Sequence, residues 1–283
     1  MTIAITGATG QLGRLVVDAL LARGVEAADI VAVGRNPERL ADLSDLGVDT
    51  RAADYGDPAS LTAAFDGVDK ALLISSSEVG NRVAGHLNVL AAAKAAEVDL
   101  LAYTSIANAD SSGLGLAADH LATERAIGES GLRHSLLRNG WYIENYTAQL
   151  ATQLEHGAVL SATGTGRVSA ATRADFADAA AAVLLAESPA QTYELGGPAF
   201  SLDEYAATVS EVTGATVTHQ ALPAEAYGEA LTSAGVPAPY VEMLVDSDLG
   251  LARGDLLVEG DDLATLIGRP ATPLADAVRA VAG

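Results

Sequence analysis

The first 150 residues alternate short apolar runs with longer stretches in which apolar residues recur every three or four positions. The short runs predict buried strands, and the periodic stretches predict helices of about ten to fifteen residues. Six strands are predicted in this way, at residues 3–5, 29–33, 48–52, 69–74, 100–104 and 135–138. Such alternation predicts parallel βα units with right-handed crossovers, and therefore an α/β fold with a doubly wound parallel sheet.

The pattern changes after Tyr142. Predicted helices near 143–155 and 174–187 alternate with short stretches such as 193–195 and 215–220, and the tail from Pro223 is mostly helical. We expect residues 1–150 to form the first domain, with 173–196 returning to it. Residues 151–172 and 197–283 are expected to form a smaller α+β C-terminal lobe, with a small-molecule cleft between the two.

Three glycines follow the first predicted strand, at Gly7, Gly10 and Gly13. Gly7 permits a tight turn, Gly10 lets the backbone approach a pyrophosphate, and Gly13 lets the next helix pack closely on the sheet. The N–H groups at the start of that helix attract phosphate. An ordinary strand–helix turn is the alternative, because the spacing differs from the best-known dinucleotide motif. We predict that the first domain is a Rossmann-type dinucleotide-binding domain.

The end of the second predicted strand carries Arg35, where many NAD-binding folds place an acid. A guanidinium can hold a 2′-phosphate that a carboxylate would repel, so we expect NADPH rather than NADH. Arg14 is a second candidate, and either arginine could instead be an ordinary surface residue. Asp54 and Tyr55, at the end of the third strand, are placed to contact adenine, although Asp54 could also cap the loop.

The fourth predicted strand ends in three small polar residues, Ser75, Ser76 and Ser77. Small polar side chains at the carboxyl end of a strand can line a cofactor without crowding it. A plain polar loop is the alternative.

Composition narrows the function further. The chain has no cysteine and a formal net charge of −21, which excludes thiolate chemistry and argues against nucleic-acid or anionic-membrane partners. An anionic cofactor must therefore be held locally, by backbone N–H groups and a few arginines. None of the five histidines has metal-ligand spacing, and no apolar run of about 18 residues predicts a membrane span. No signal peptide is visible, so we expect a cytoplasmic protein. From the histidine spacing we expect no bound metal.

Several motifs together resemble the NmrA-like group of atypical short-chain dehydrogenases, and in particular the bacterial NADPH:quinone oxidoreductases of type 2. The most specific are the serine triplet and the Arg-Asn-Gly-Trp-Tyr stretch that begins at Arg138. The resemblance covers nearly the whole chain, through residues 5–13, 35–37, 53–57, 73–80, 102–105, 137–146 and 170–176.

The resemblance implies a role for each motif. Arg35 would meet the 2′-phosphate, Arg173 would reach the cofactor from the second lobe, and that lobe would supply the quinone pocket. The pyrophosphate would lie against Gly7, Ala8, Thr9, Gly10, Gln11 and Leu12. The nicotinamide half would be flanked by Ser75, Ser76, Ser77, Arg138, Asn139, Gly140, Trp141, Tyr142 and Ile143.

Classical short-chain dehydrogenases use a Tyr-x-x-x-Lys acid–base pair, which this chain lacks. At the corresponding helix stands His120-x-x-x-Glu124. A quinone needs little acid assistance, because hydride addition gives a stabilised hydroquinone anion. His120 is a candidate proton donor near neutral pH, and Tyr142 a candidate hydrogen-bond donor to the quinone oxygen. Both could instead be packing residues, and Trp141 is expected to pack under the cleft.

Two functions are therefore carried forward. The first is an NADPH-dependent oxidoreductase that reduces a small-molecule quinone. The second is a non-catalytic NADP-binding redox sensor, which would explain the missing Tyr–Lys pair because binding can persist without turnover. Homodimer formation is a further expectation that the sequence leaves open.

Overall fold

The computed structural model describes residues 1–76, 78 and 81–282 of the chain. It divides into two compact units. Unit 1 consists of Met1–Ile106, Asp119–Arg138 and Arg173–Tyr193. Unit 2 consists of Ala107–Ala118, Asn139–Thr172 and Glu194–Gly283. The described residues contain no helix of the length and apolarity that a membrane crossing requires.

The strands are short, as is usual for α/β proteins. In chain order they are β1 (Ile3–Thr6), β2 (Ile30–Gly34), β3 (Asp49–Ala52), β4 (Lys70–Leu73), β5 (Leu100–Ile106), β6 (His134–Asn139), β7 (Trp141–Tyr142), β8 (Ala158–Ser161), β9 (Arg167–Val168), β10 (Ala170–Ala171), β11 (Thr192–Leu195), β12 (Phe200–Ser201) and β13 (Thr218–Ala221).

The helices of unit 1 lie between its strands, and those of unit 2 lie mostly in the C-terminal part of the chain. In order they are α1 (Gln11–Ala22), α2 (Pro37–Ser44), α3 (Pro58–Ala64), α4 (Arg82–Ala95), α5 (Gly115–Glu129), α6 (Glu144–Thr147), α7 (Leu150–His156), α8 (Arg173–Leu185), α9 (Leu202–Thr213), α10 (Ala224–Ser233), α11 (Ala238–Arg253), α12 (Asp262–Ile267) and α13 (Leu274–Ala282).

Seven strands form one sheet in the order β11-β6-β5-β4-β1-β2-β3. The pairs β1–β2, β1–β4, β2–β3 and β4–β5 are parallel. The strands β1 and β2 are buried along their whole length, because helices cover both faces of the sheet. Strand order reverses at β1, which lies between β2 and β4, and ligands of open α/β sheets bind at such a point. The predicted doubly wound fold is confirmed.

Local sequence signals explain where several helices begin. Asp57 accepts hydrogen bonds from the N–H groups of Ala59 and Ser60, and Pro58 opens α3. Asn36 caps α2 in the same way. Helix α8 is alanine-rich and almost entirely buried, and it packs against α1 within unit 1.

The structure differs from the predicted pattern at three places. Strand β5 extends to Ile106, so Ser105 lies in the strand and not after it. The predicted helix near 143–155 is divided into α6 and α7, with Gln149 between them at the start of α7. Residues 107–118 and 139–150 belong to unit 2, although the sequence pattern groups them with the first domain. The assignment of dinucleotide and substrate binding to separate domains stays a prediction.

Unit 2 contains three two-stranded sheets, β10–β7, β12–β9 and β13–β8. Helix α9 contacts β8, β12 and β13, and α13 packs along α9. A capping box fixes the start of α9, with Ser201 and Glu204 each bonding the other's backbone N–H. The mixture of small sheets and helices is the α+β lobe that the sequence predicts.

Candidate functional site

The turn between β1 and α1 has the geometry of a phosphate cradle. Gly7 has a positive φ of 62°, which favours glycine. A Cβ on Gly13 would overlap the carbonyl oxygen of Gly7, so the helix can approach the turn only with glycine there. Helix α1 begins after Gly10 with no side-chain cap and no acidic residue in its first turn. Its first N–H groups therefore fit an anionic ligand such as a pyrophosphate.

The other residues predicted for this turn are placed by the same geometry. Ala8 is buried and donates its N–H to the carbonyl oxygen of Val33 at 3.0 Å. Leu12 is buried in the helix–sheet interface, whereas Gln11 is exposed at the start of α1. Thr9 lies at the turn's surface, and its carbonyl oxygen accepts a hydrogen bond from Arg39.

Arg35 follows β2 and is exposed, as a 2′-phosphate ligand should be. Its Nη1 lies 2.6 Å from Glu78, and its Nε lies 4.0 Å from Asp54. Asp54 also accepts the N–H of Gly56, so the loop-capping alternative holds for this residue. Arg14 pairs with Asp18 on its own helix, at 3.2 Å. Arg35, the candidate residue for binding the 2′-phosphate, thus has two acidic neighbours. An incoming phosphate would displace them or share the guanidinium with them.

Sequence reasoning missed a second guanidinium at this edge, Arg39. Its Nη2 donates to the carbonyl oxygen of Thr9 at 2.9 Å, which places it on the glycine turn. Arg39 follows Arg35 by four residues, and Asn36 between them caps α2. The signal was therefore present: two arginines four residues apart, one just before and one within the first turn of the helix that follows β2.

The polypeptide after β4 is held by side chains from other elements. We call residues 74–76 the serine segment. The Ile74 N–H donates to Thr6 Oγ1 at 3.0 Å, the Ser75 N–H to Thr104 Oγ1 at 2.9 Å, and the Ser76 N–H to His86 Nε2 at 2.9 Å. Three N–H groups in a row thus bond to side chains on three elements. Ser77, also predicted to bind the cofactor, lies outside the described residues.

The carbonyl groups of the serine segment are held in the same way. The Tyr55 hydroxyl donates to the Ile74 carbonyl oxygen at 2.8 Å, and Arg82 Nε donates to the Ser76 carbonyl oxygen at 2.6 Å. Burial raises the pKa of the Tyr55 hydroxyl, which therefore stays protonated. Because that hydroxyl is committed to the serine segment, Tyr55 supports the loop and is not available to donate to adenine.

His120 is buried between α5 and the sheet. Its Nδ1 lies 2.8 Å from the hydroxyl of Tyr103, which is itself fully buried. Burial, with the nearby Arg82 and His86, lowers the pKa of His120 to about 3. The ring is neutral at pH 7, so an imidazolium is not present there to act as an acid. Any proton that leaves this position comes from a neutral imidazole or from Tyr103.

Glu124, four residues after His120, is paired with Arg138. Arg138 Nη2 lies 2.8 Å from Glu124 Oε2, and Arg138 Nε lies 3.0 Å from Oε1. Ser105 Oγ donates to the same carboxylate at 2.5 Å. All three residues are largely buried at the carboxyl ends of β5 and β6. The Arg138 guanidinium is thus paired with a carboxylate, and the Ser105 hydroxyl donates its hydrogen bond to the same group.

The remaining predicted cofactor residues lie in unit 2, apart from Arg173. Gly140 donates to the Leu195 carbonyl oxygen at 2.6 Å, and a Cβ on it would overlap the Ser169 carbonyl oxygen. Trp141 and Tyr142 form β7 and are half-buried. Asn139 and Ile143 are buried beside them. Arg173 is the first residue of α8 and belongs to unit 1, not to the second lobe.

Unit 2 has an open pocket of about 230 Å³ with mostly apolar walls. Arg167 and Glu204 form an ion pair at 2.9 Å beside it. It is lined by Ile143, Arg167, Ala170, Pro198, Ala199, Phe200, Glu204, Thr272, Pro273 and Leu274. Asp248 is also buried in unit 2 and accepts the Ala162 N–H at 2.7 Å. Burial raises the pKa of this carboxyl to about 6.

No group of three or more His, Cys, Asp or Glu side chains within residues 1–76, 78 and 81–282 is arranged to hold a metal ion. The candidate site consists of the glycine turn, the arginines beside it and the buried hydrogen-bond network.

Known proteins share this architecture over their whole length. The chain is 49% identical over 278 residues to quinone oxidoreductase 2 of Escherichia coli strain K12, covering 98% of this chain and 97% of that protein. The crystal structure of the NADPH-dependent quinone oxidoreductase QOR2 from E. coli, complexed with NADPH, matches with a TM-score of 0.96 at 47% identity, covering 100% of both chains.

A more distant relative is the NmrA-like family domain-containing oxidoreductase flvB of Aspergillus flavus, which is 28% identical over 291 residues, 99% of this chain and 94% of that protein. These similarities confirm the resemblance inferred from the motifs. The model of the NAD(P)H-binding family matches residues 7–187. Because this match spans more than half of the sequence, the chain belongs to the NAD(P)H-binding family.

Proposed function

We propose that the protein is an NADPH-dependent oxidoreductase that transfers a hydride to a quinone, with NADPH, quinone and a proton giving NADP⁺ and hydroquinone. The observation that carries this proposal is the 49% identity over the whole chain to an enzyme named quinone oxidoreductase 2. The glycine turn adds a physical reason, since its open helix terminus fits a pyrophosphate.

The binding roles follow from charge and backbone geometry. Residues 7–12 form the turn that receives the pyrophosphate, with the N–H groups at the start of α1 as its donors. Arg35 holds the 2′-phosphate after exchanging Glu78 for it. Arg39 adds a second positive charge at the same edge. A paired, charge-assisted contact to the 2′-phosphate separates NADPH from NADH, because NADH lacks that group.

The nicotinamide half is bound by the serine segment, by residues 138–143 and by Arg173. Arg138 contributes by fixing β6 through its ion pair with Glu124, not by giving its guanidinium to the cofactor. The small side chains of Ser75 and Ser76 leave room for the ring. When bound, NADPH supplies the hydride from C4 of the nicotinamide.

The protein's own catalytic task is mostly positioning. Holding two reactants in reacting geometry can lower a barrier by about 7–11 kcal/mol in favourable cases. Tyr142 is proposed to donate a hydrogen bond to the quinone oxygen, and water supplies the proton that completes the hydroquinone. His120 stays a candidate only as a neutral donor, because its pKa is lowered to about 3.

The experiment follows NADPH oxidation by a small benzoquinone at the reduced-nicotinamide absorbance band, with NADH as the matched cofactor. Arg35→Ala should raise the KM for NADPH about 10- to 100-fold and leave NADH nearly unchanged, since hydrogen bonds to charged groups contribute about 1.5–3 kcal/mol. Gly10→Ala should weaken both cofactors. Its new Cβ would lie 3.1 Å from the Gly7 carbonyl oxygen, so the turn that receives the pyrophosphate must shift by a few tenths of an ångström.

The redox-sensor alternative predicts that the protein binds NADPH tightly but oxidises none of it above background when quinone is added. That result would favour the sensor and remove the enzymatic proposal. The proposal that a quinone is the small-molecule partner is part of the enzymatic proposal. Homodimer formation and a cytoplasmic location stay predictions, to be checked by sedimentation and by fractionation.

A further inference from the structure

The serine segment lies directly against the glycine turn. A Cβ on Gly7 would sit 3.7 Å from Cβ of Ile74, in ordinary van der Waals contact. Two of the three N–H groups of the serine segment bond to threonine hydroxyls, which accept hydrogen bonds at any ordinary pH. The third bonds to the imidazole of His86, which accepts at Nε2 only when that nitrogen carries no proton.

The surroundings of His86 fix that state. The ring is fully buried, and its Nδ1 lies 3.0 Å from Thr123 Oγ1. Thr123 Oγ1 in turn donates to the Asp119 carbonyl oxygen at 3.0 Å. Since the threonine proton points to Asp119, its oxygen accepts from His86, which places the imidazole proton on Nδ1. The rings of Tyr55 and Tyr103 pack edge-on against His86, with centroids at 6.2 and 5.4 Å.

The result is a directional chain of hydrogen bonds from the serine segment into α5. It runs from the Ser76 N–H to His86, from His86 to Thr123, and from Thr123 to the Asp119 carbonyl. Arg82, on the same helix as His86, clamps the Ser76 carbonyl. The two α4 side chains therefore hold both backbone polar groups of Ser76.

We infer that His86 is a positioning residue for the cofactor: by accepting the Ser76 N–H, it holds the serine segment in the conformation that receives the nicotinamide half of NADPH. The inference rests on the proposed function, because that function assigns the serine segment to the nicotinamide. His86 itself lies behind the segment and touches neither reactant. Its loss should therefore act on cofactor binding and orientation before it acts on the quinone.

Three variants and one control test this role. His86→Leu removes the acceptor, whereas His86→Gln can restore it through the amide oxygen. Val89→Ala, one turn along α4, opens the core without touching the segment and serves as the stability-matched control. Each protein is titrated with NADPH and then assayed over a range of quinone concentrations up to saturation, using ordinary and C4-deuterated NADPH.

We expect His86→Leu to weaken NADPH binding about tenfold, the size of an unsatisfied buried N–H, and to leave the KM for quinone within about twofold. The deuterium isotope effect should rise as hydride transfer becomes slower. His86→Gln should return most of the affinity. Thr123→Val, which frees the imidazole without altering the segment, should show a smaller loss in the same direction and covers the case that His86→Leu does not fold.

The inference would be overturned if His86→Leu bound NADPH as tightly as Val89→Ala of similar melting temperature. If His86→Leu does not fold, the same comparison is made between Thr123→Val and Val89→Ala. Failure of His86→Gln to recover affinity when it is as stable as wild type would also overturn the inference. A wild-type protein that binds NADPH without reducing quinone refutes the proposed function alone, because the titration still measures the effect of His86.

Discussion

In unit 1 the buried imidazoles of His86 and His120 are neutral, and each bonds to a protein group that suits the neutral ring. In unit 2 the buried carboxyl of Asp248 accepts a backbone N–H, and its negative charge contributes to raising the pKa of the Tyr146 and Tyr227 hydroxyls. Burial pushes the pKa values in opposite directions, down to about 4 for His86 and up to about 6 for Asp248. Desolvation penalises the charged form in both cases.

The contrast shows what each unit can do near neutral pH. In unit 1 His86 and His120 stay neutral from pH 5 upward, so the hydrogen bond from the Ser76 N–H to His86 persists. In unit 2 the raised pKa of Asp248, about 6, places its change of charge close to neutral pH. A rigid, pH-insensitive support suits a bound cofactor, since its reactive atom must be held in a narrow range of positions.

The buried ion pair of unit 1 gives the largest expected effect. Glu124→Ala leaves the Arg138 guanidinium largely buried without its bidentate carboxylate, which should lower the free energy of unfolding by about 3–5 kcal/mol. Asp18→Asn removes a partner from the exposed Arg14 pair of the same unit and should cost less than about 1 kcal/mol. Urea titrations of both variants measure the free energies of unfolding. Equal losses would contradict the expectation that the buried Arg138 depends on its carboxylate partner more than the exposed Arg14 does.

Acid should destabilise the protein mainly through unit 1. His86 and His120 have folded pKa values of about 4 and 3, below the usual 6.5. Their contribution is complete above pH 6.5 and is lost as pH falls, because the unfolded chain binds the protons first. Between pH 6.5 and 5 each should cost about 1.6 kcal/mol, and Asp248, with its raised pKa, should return about 1.2 kcal/mol.

The net loss of stability between pH 6.5 and 5, about 2 kcal/mol, is measured by urea unfolding at each pH. His86→Gln should remove about one proton from the slope of stability against pH. An unchanged slope in that variant would mean that the imidazole titrates normally in the folded protein.

Local sequence signals predicted the sheet, the glycine turn and the helix starts. The strands β1 and β2 are unbroken apolar runs, and Asp57-Pro58 marks the start of α3 whatever the rest of the chain does. The division between α6 and α7 could not be predicted in this way, because no glycine or proline marks it. Tertiary packing, not local propensity, sets that boundary.

The support of the candidate site was hidden from the sequence for a different reason. The bonds that hold the serine segment join residues 68, 29 and 10 positions apart, on three elements. A one-dimensional pattern contains the serines but not their partners. The same limit applies to His120 and Glu124: their spacing was seen, whereas the burial that neutralises one and the arginine that pairs with the other appear only in the fold.

Asp248→Asn tests the contrast from unit 2. The amide oxygen can still accept the Ala162 N–H, and the cost of ionising a buried carboxyl disappears. Because the folded pKa is raised, Asp248 favours folding at low pH and this benefit is lost as pH rises from about 4 to 6. The variant should therefore be more stable than wild type by about 1–3 kcal/mol at pH 7, and by less at pH 5. A gain of the same size at both pH values would exclude the carboxyl's titration as its cause.

The smallest expected effect comes from the exposed edge of unit 1, where charge is solvated and exchangeable. Glu78 lies 2.6 Å from Arg35, and both side chains are about half or more exposed. An exposed ion pair contributes about 0–1 kcal/mol, so Glu78→Gln should strengthen NADPH binding by no more than about fivefold and leave NADH unchanged. Glu129→Gln, an exposed acid at the end of α5, changes the net charge equally and is the control. Equal gains in both variants would assign the effect to the overall field, whereas a gain confined to Glu78→Gln and NADPH would show that this carboxylate competes with the 2′-phosphate for Arg35.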